Sequence, residues 1–439
     1  MASSTLAMII TVLVIALFIS NKVSPGVAGC IAALAMGMLL PEVKLSSVYA
    51  GFGGNTITLC AGMCVVSEAL FYTGVGPKIG AKISNTPLVK SERIFCAAVA
   101  AICTLQSAFM SNNGTCAMWM ALIATIATGS NGKIRSKMAI FPAATGCIIG
   151  GGSTLVGSTA QAVANGMLQS FPGFESGMQV FDMTALAWPA CIVQIIYWLT
   201  IGYDIELKVL KPESPDFDKD NAFAVPPEGN KDAENMPAWK GNMAVAVLIG
   251  SIICFILSGF MPFKRVMNIG TIPILAATIL FALNVLPTKS TLAKLPWDTI
   301  ITIGTISILG TGLTNTGAGK IIADTILNIV GRDVSPSTML IVFILLGGFL
   351  TLFLQNAGTV SMLIPIAAPI AMAMGVSILP FVIALSVSCN FAIATPLGTA
   401  VNVQILPAGY KFGDFVKLGG PCWILVMIAL CITSKIIYF

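Results

Sequence analysis

The sequence predicts an all-α membrane protein of two inverted-topology repeats, with about ten transmembrane helices, two re-entrant hairpins and broken helices. Three observations predict it. Of the 439 residues, 56% are hydrophobic and only 9% are charged, where soluble domains are about a quarter charged. Apolar runs long enough to cross a bilayer recur along the chain, without the alternation of membrane β-strands. Short polar motifs recur in the same order on either side of one polar connector.

The elements follow in chain order. Residues 4–20, 24–40 and 50–72 are apolar runs of single-crossing length. Residues 93–128 are too long to cross once, and they carry "SNNGT" (111–115) near their middle. A hairpin that turns at this motif and leaves on the same side explains both the length and the polarity. Residues 138–170 are also long and are interrupted by "GCIIGGGSTLVGST", whose glycines and hydroxyls predict an unwound helix at membrane depth. Such backbone survives only when buried in protein or lining a cavity. Residues 182–203 complete the first half. The stretch 204–240, rich in Pro and charge, reads as a solvated connector. Residues 241–261, 267–286 and 297–316 are again single crossings. Residues 337–374 form a second hairpin turning at "QNAGT" (355–359), residues 377–408 are broken at "SCNFAIATPLGTA", and residues 416–437 close the chain. The division is therefore 1–210, first repeat; 211–238, cytoplasmic connector; 239–439, second repeat.

The motifs carry the duplication. "TGVG" at 73–76 matches "TGAG" at 316–319, "NNGT" at 112–115 matches "NAGT" at 356–359, and "GST" at 157–159 matches "GTA" at 398–400. Their offsets of 243, 244 and 241 agree within three residues, which a chance match among many glycines does not produce. With the hairpins not crossing, each half has five crossings, an odd number, so the second half is inverted. A cytoplasmic connector then places 17 of the 23 Lys and Arg residues inside and six outside, the expected bias. Both termini lie outside in this arrangement.

Composition also excludes. There is no His, which removes His acid–base chemistry and most transition-metal sites. The 12 Cys all lie in apolar segments and show no disulfide pattern. The first cation is Lys22, so no basic region precedes the first apolar run and a cleaved signal peptide is not expected. The net charge of +5 sets orientation and does not imply nucleic acid. "TGAGK" at 316–320 lacks the spacing of a phosphate loop. Glu68, an acid inside a span, reads as structural or interfacial.

The polar clusters point to transport. Residues 95–132, 139–174 and 334–410 contain no charged residue, so a cavity built from both tips and both breaks is neutral. Amides, hydroxyls, peptide N–H groups and helix N-termini hold anions; amide oxygens, hydroxyls and carbonyls hold hard cations. A dianion among neutral groups in a dry pocket is undercompensated. Co-bound cations solve that, so an anion is expected to bind together with Na⁺. Ser107 and Thr351 each stand four residues before the tip positions Ser111 and Gln355, one turn below. With the tips and the Gly157 and Gly398 breaks, they suggest one cation site per half. Taken singly, such hydroxyls also bond back to helix carbonyls.

At these residues the sequence resembles the divalent-anion/sodium symporter family of the ion-transporter superfamily, over nearly the whole chain. The resemblance rests on the tips "SNN" and "QNA", the breaks "GSTAQ" and "GTAVN", and "PWDTIITIGTISILGTGLTNTGAG" at 296–319. It implies homodimers and an elevator-like transport part. It implies Na⁺ sites at Ser107, Asn112 and Gly157, and at Thr351, Asn356 and Gly398. It implies that Ser111, Asn112, Asn113, Gln355 and Asn356 face the substrate; Thr115 and Thr359, the hydroxyls ending the two tip motifs, are included with them. Family substrates are C4-dicarboxylates, citrate and sulfate. Asn113, Gln355 and Ala357 replace tip hydroxyls of the family. The reading is a Na⁺-coupled symporter of small divalent organic anions, not an enzyme, in an inner or plasma membrane, its partners being the anion, sodium ions, lipid and a second copy. The alternatives are a sodium-independent exchanger of the same fold, or a cation/proton antiporter or metalloid carrier of the superfamily.

Overall fold

The computed structural model describes residues 2–20, 22–75, 86, 91–130, 132–218, 221–222, 236–258, 267–330 and 334–439. Most of the connector after 218, and Lys78, Lys82, Lys90, Lys264, Arg265 and Arg332 of the charge count, lie outside them. The described residues form helices and turns with no strand. The first repeat contains α1 (Ser3–Ser20), α2 (Pro25–Leu39), α3 (Asn55–Tyr72), α4 (Glu92–Ser107), α5 (Asn112–Gly129), α6 (Ser136–Gly151), α7 (Thr159–Leu168) and α8 (Thr184–Leu210). After the connector come α9 (Ala238–Leu257), α10 (Thr271–Ala282), α11 (Trp297–Asn315), α12 (Ala318–Val330), α13 (Pro336–Leu350), α14 (Asn356–Ala373), α15 (Leu379–Ser388), α16 (Ala400–Gln404) and α17 (Phe412–Tyr438). Helices α3, α8, α9, α14 and α17 are apolar and long enough to span a membrane.

The duplication is visible in the backbone. Helices α3 and α11 both end in a Thr–Gly pair, with Gly74 at φ 67° and Gly317 at φ 70°. Only glycine takes this left-handed C-terminal position without strain. The preceding Thr73 and Thr316 donate back to Ala69 O and Gly312 O, both at 2.7 Å. The "TG" match is therefore a repeated helix stop.

Packing exchanges elements between the repeats. Helix α3 lies against α10, and α11 lies against α2. A Cβ at Gly62 would sit 2.5 Å from Pro273 Cβ, and one at Gly29 would sit 2.3 Å from Thr305 Oγ1. These are one contact seen twice, since 62 and 305, and 29 and 273, are repeat partners. Small residues let membrane helices approach this closely. The same exchange operates at the breaks, where α7 packs on α14 and α16 packs on α5.

Each hairpin is two antiparallel helices whose turn is held by protein, as irregular backbone in a membrane must be. Thr154 donates to Ala108 O, and its repeat partner Thr395 donates to Leu352 O. Asn402 Nδ2 further satisfies Ala392 O at 2.6 Å and Thr395 O at 2.7 Å. At the mouth of the first hairpin, Glu92 takes hydrogen bonds from the Arg135 side chain, the Arg135 N–H and the Tyr203 hydroxyl. This ties α4, α6 and α8 together. Glu68 pairs with Lys294 at 2.5 Å. Between the single crossing 297–316 and the second hairpin, α12 buries Ala318, Ala323 and Leu327 against α14. Lys320 and Asp324 interrupt its apolar run and conceal it from a hydropathy reading.

Candidate functional site

Both tips and both breaks converge on one cavity of about 670 Å³, a size that suits a small molecule. It is lined by Ser111, Asn112 and Asn113 of the first tip and Gln355, Asn356 and Ala357 of the second. Gly157, Ser158 and Thr159 of one break and Gly398, Thr399 and Ala400 of the other complete it, with Cys60, Cys64 and Ser67 of α3 and Thr299 and Thr302 of α11 at the sides. No Lys or Arg is among these lining residues. The sequence places no carboxylate here, and the structure adds one: Asp298 lines the cavity from the first turn of α11. It was hidden because it lies outside the uncharged runs. Its Oδ1 accepts from Gly26 N at 3.0 Å and so caps the start of α2.

Helices α5 and α14 begin at the cavity at the tips and α7 and α16 at the breaks, and α2 and α11 also begin beside it, at Pro25 and Asp298. Their first N–H groups and the N-terminal ends of their dipoles favour negative charge. The tips are not equivalent. Ser111 accepts a long hydrogen bond from Gly114 N at 3.5 Å, whereas Gln355 makes no side-chain cap. The second tip thus leaves more of its first-turn N–H groups open to a ligand.

Behind each tip lies a cluster of oxygens. One amide atom of Asn112 sits 2.6 Å from Ser107 Oγ, 2.9 Å from Gly157 O and 3.3 Å from Cys147 O. One amide atom of Asn356 sits 2.9 Å from Thr351 Oγ1, 3.0 Å from Gly398 O and 3.2 Å from Cys389 O. When that atom is Oδ1, it accepts from the Ser107 or Thr351 hydroxyl and faces two carbonyl oxygens, a set of oxygens that a hard cation would draw together. When it is Nδ2, the amide donates to them itself. With Oδ1 turned inward the oxygens of each half suit a hard cation such as Na⁺, and with Nδ2 turned inward the amide satisfies the same carbonyls without one.

Glycine is required at both breaks. A Cβ at Gly398 would lie 1.9 Å from Thr351 O, and one at Gly157 would lie 2.6 Å from Gly151 O and 2.7 Å from Ser107 O. Ser107 and Thr351 are fully buried behind the tips. Thr115 and Thr359 are buried as well and do not line the cavity; Thr359 Oγ1 donates back to Gln355 O at 3.1 Å. The carbonyls of Cys147 and Cys389 were not anticipated. Their offset of 242 falls within the repeat spacing and could have pointed to them.

A family model described as Citrate transporter matches residues 15–336 and 271–439. An uncharacterized transporter of Methanocaldococcus jannaschii is 24% identical over 292 residues, 65% of this chain and 61% of that protein. The uncharacterized transporter YfbS of Escherichia coli is 30% identical over 160 residues, 36% of this chain and 26% of that one. Both matches cover less than two thirds of the relative's length. Among solved structures, the YdaH transporter of Alcanivorax borkumensis aligns over 99% of this chain and 98% of its own, with a TM-score of 0.65 at 13% identity. MtrF of Neisseria gonorrhoeae, described within a class of antimetabolite efflux pumps, aligns over 90% and 83%, with a TM-score of 0.56 at 16% identity. At these identities the likeness is one of fold.

Proposed function

This chain belongs to the citrate transporter family, and on that premise we propose that it is a sodium-coupled symporter of small divalent organic anions. It is a multi-pass membrane transporter of the ion-transporter superfamily. The observation that carries the finer reading is the pairing of a cavity lined by no Lys or Arg with two oxygen clusters suited to cations. A dicarboxylate or citrate would lie between the tips, with Ser111, Asn112, Asn113, Gln355 and Asn356 as hydrogen-bonding partners. Na⁺ would bind behind each tip, at Ser107, Asn112, Gly157 and Cys147 O, and at Thr351, Asn356, Gly398 and Cys389 O. Each cation would supply the positive charge that the lining side chains lack. The anion's carboxylates in turn neutralise the cations. Neither ligand is well accommodated alone, which is the physical origin of coupling.

The proposal extends to elevator-type movement of the tips and breaks as a unit, to a homodimer, and to an inner or plasma membrane with both termini outside. The orientation rests on the distribution of Lys and Arg. Purified protein in liposomes tests the function. Labelled succinate and citrate should accumulate under an inward Na⁺ gradient and not under choline. Exchange of internal for external anion in the complete absence of Na⁺ would replace the symporter with an exchanger.

A further inference from the structure

The cavity lining is lopsided with respect to the repeats. Helices α3 and α11 align at an offset of 243, with "NTI" at 55–57 against "DTI" at 298–300. The cavity reaches Pro296, Asp298 and Thr299 at the start of α11, but not Asn55 or Thr56 at the start of α3. There, α7 and the turn after it lie against both helices. Thr56 is buried against Asn165 and Gln169. A Cβ at Gly166 would lie 3.2 Å from Ile303 Cγ2, and one at Gly310 would lie 2.4 Å from Ser170 Oγ. The repeat partners of Thr56, Ile303 and Gly310 are Thr299, Cys60 and Ser67, and all three line the cavity. One half is thus closed at the positions where the other is open.

The closed side is held by directed hydrogen bonds. Asn165 is fully buried, and its Oδ1 accepts from Met178 N at 2.5 Å. A peptide N–H only donates, so the amide presents Nδ2 to Thr56 and donates to Oγ1 at 2.9 Å. The Thr56 hydroxyl in turn donates to Gln169 Oε1 at 3.1 Å. The open side has no such set. The breaks align at an offset of 241, which pairs Asn165 with Leu406 and Gln169 with Tyr410. The leucine side chain has no polar atom. The Tyr410 hydroxyl is engaged by α6, donating to Lys137 O and accepting from Phe141 N at 3.1 Å.

We propose that Thr56, Asn165 and Gln169 form a latch that closes the α3 side and biases the transporter toward a cavity open at the start of α11, the cytoplasmic side in the proposed orientation. The inference rests on the movement of tips and breaks proposed above. Helix α7 belongs to the moving part and Thr56 to the part it moves against, so both Thr56 hydrogen bonds break in every cycle. Thr299 meets no equivalent amides when the other side closes. Contacts made in one state only shift the balance toward that state. In the opposite state the repeat roles exchange: Cys60 is packed away as Ile303 is here, and Ile303 lines the cavity.

Ile303→Cys is the reporter. Ile303 is 1% exposed, so a thiol at 303 reacts with a maleimide only in the opposite state, at a rate proportional to that state's population. Alkylation is read residue by residue by mass spectrometry on protein in liposomes. Within this background, Gln169→Met should raise the rate at 303 about fivefold, the loss of one net hydrogen bond. Thr56→Val should raise it about 10–30-fold, the loss of both. Thr56→Ser keeps the hydroxyl and should leave the rate unchanged. Cys60, half-buried on the cavity wall, should react more slowly as 303 reacts faster. Cys191 and Cys422 are fully buried and should stay unreactive, which a general loosening would not allow. An unchanged rate at 303 in Thr56→Val, or a faster rate at Cys191 and Cys422 alongside it, overturns the latch alone. A membrane-impermeant maleimide tests the movement itself, and should reach Cys60 and position 303 from opposite faces. Reaction of both from one face, or none at 303 in any variant, overturns the elevator reading and the latch together.

Discussion

Asn356→Ala abolishes Na⁺-driven anion uptake, and Asn112→Ala does the same, while both variants still insert and elute as folded protein. In the proposed mechanism each asparagine serves two ligands. Its amide meets a hydroxyl and two carbonyls behind the tip, and its backbone opens a helix at the cavity wall. Alanine removes the side-chain oxygen and leaves the remaining oxygens without a fourth partner. Losing an outer group around a metal costs about 10–100-fold; losing a direct oxygen costs at least that much for Na⁺. Because the anion depends on the cations, succinate binding falls with it. Liposome uptake and size-exclusion profiles of the two variants check this. Normal Na⁺-driven uptake by both would remove the site assignment.

Gly398→Ala has the second largest expected effect. Its new Cβ would lie 1.9 Å from Thr351 O, a backbone atom anchored by the hairpin. Tip and break must separate by more than 1 Å for an ordinary contact, and this pulls Gly398 O away from Asn356. Overpacking of this kind costs about 1–3 kcal/mol of stability, and the misplaced carbonyl costs transport altogether. Gly157→Ala meets its nearest atom at 2.6 Å, so it should be milder and keep measurable uptake at high Na⁺. Gly413→Ala is the control. A Cβ there meets nothing within 4 Å, and uptake should be unchanged. Equal uptake by all three variants would show that the breaks need no close approach.

The sequence carried much of this arrangement for a physical reason. Polar residues are costly within apolar chain, so "SNNGT", "QNAGT" and the two glycine-rich breaks stood out against long uncharged runs. Their duplication then distinguished a built feature from a chance one, and the Thr–Gly helix stops repeat it in the backbone. Other parts had no such signal. The carbonyls of Cys147 and Cys389 belong to the backbone, and no residue type announces where a carbonyl points. Asn390, buried at the second break, donates to Ile148 O in the other repeat, a partner that no sequence motif announces. Thr115 and Thr359 share the tip motifs yet lie behind the cavity wall, because three residues along a helix carry a side chain nearly one turn away from the tip. Asp298 and α12 were concealed by the opposite effect, in which a charge interrupts an apolar pattern that tertiary packing still uses.

The central claim is that a cavity lined without Lys or Arg holds an anion only together with cations. Calorimetric titration of succinate and citrate into the purified protein, in NaCl and in choline chloride at equal ionic strength, tests it most directly. Saturable binding in NaCl and no detectable heat in choline is the predicted result. Binding of equal affinity in both salts would contradict it.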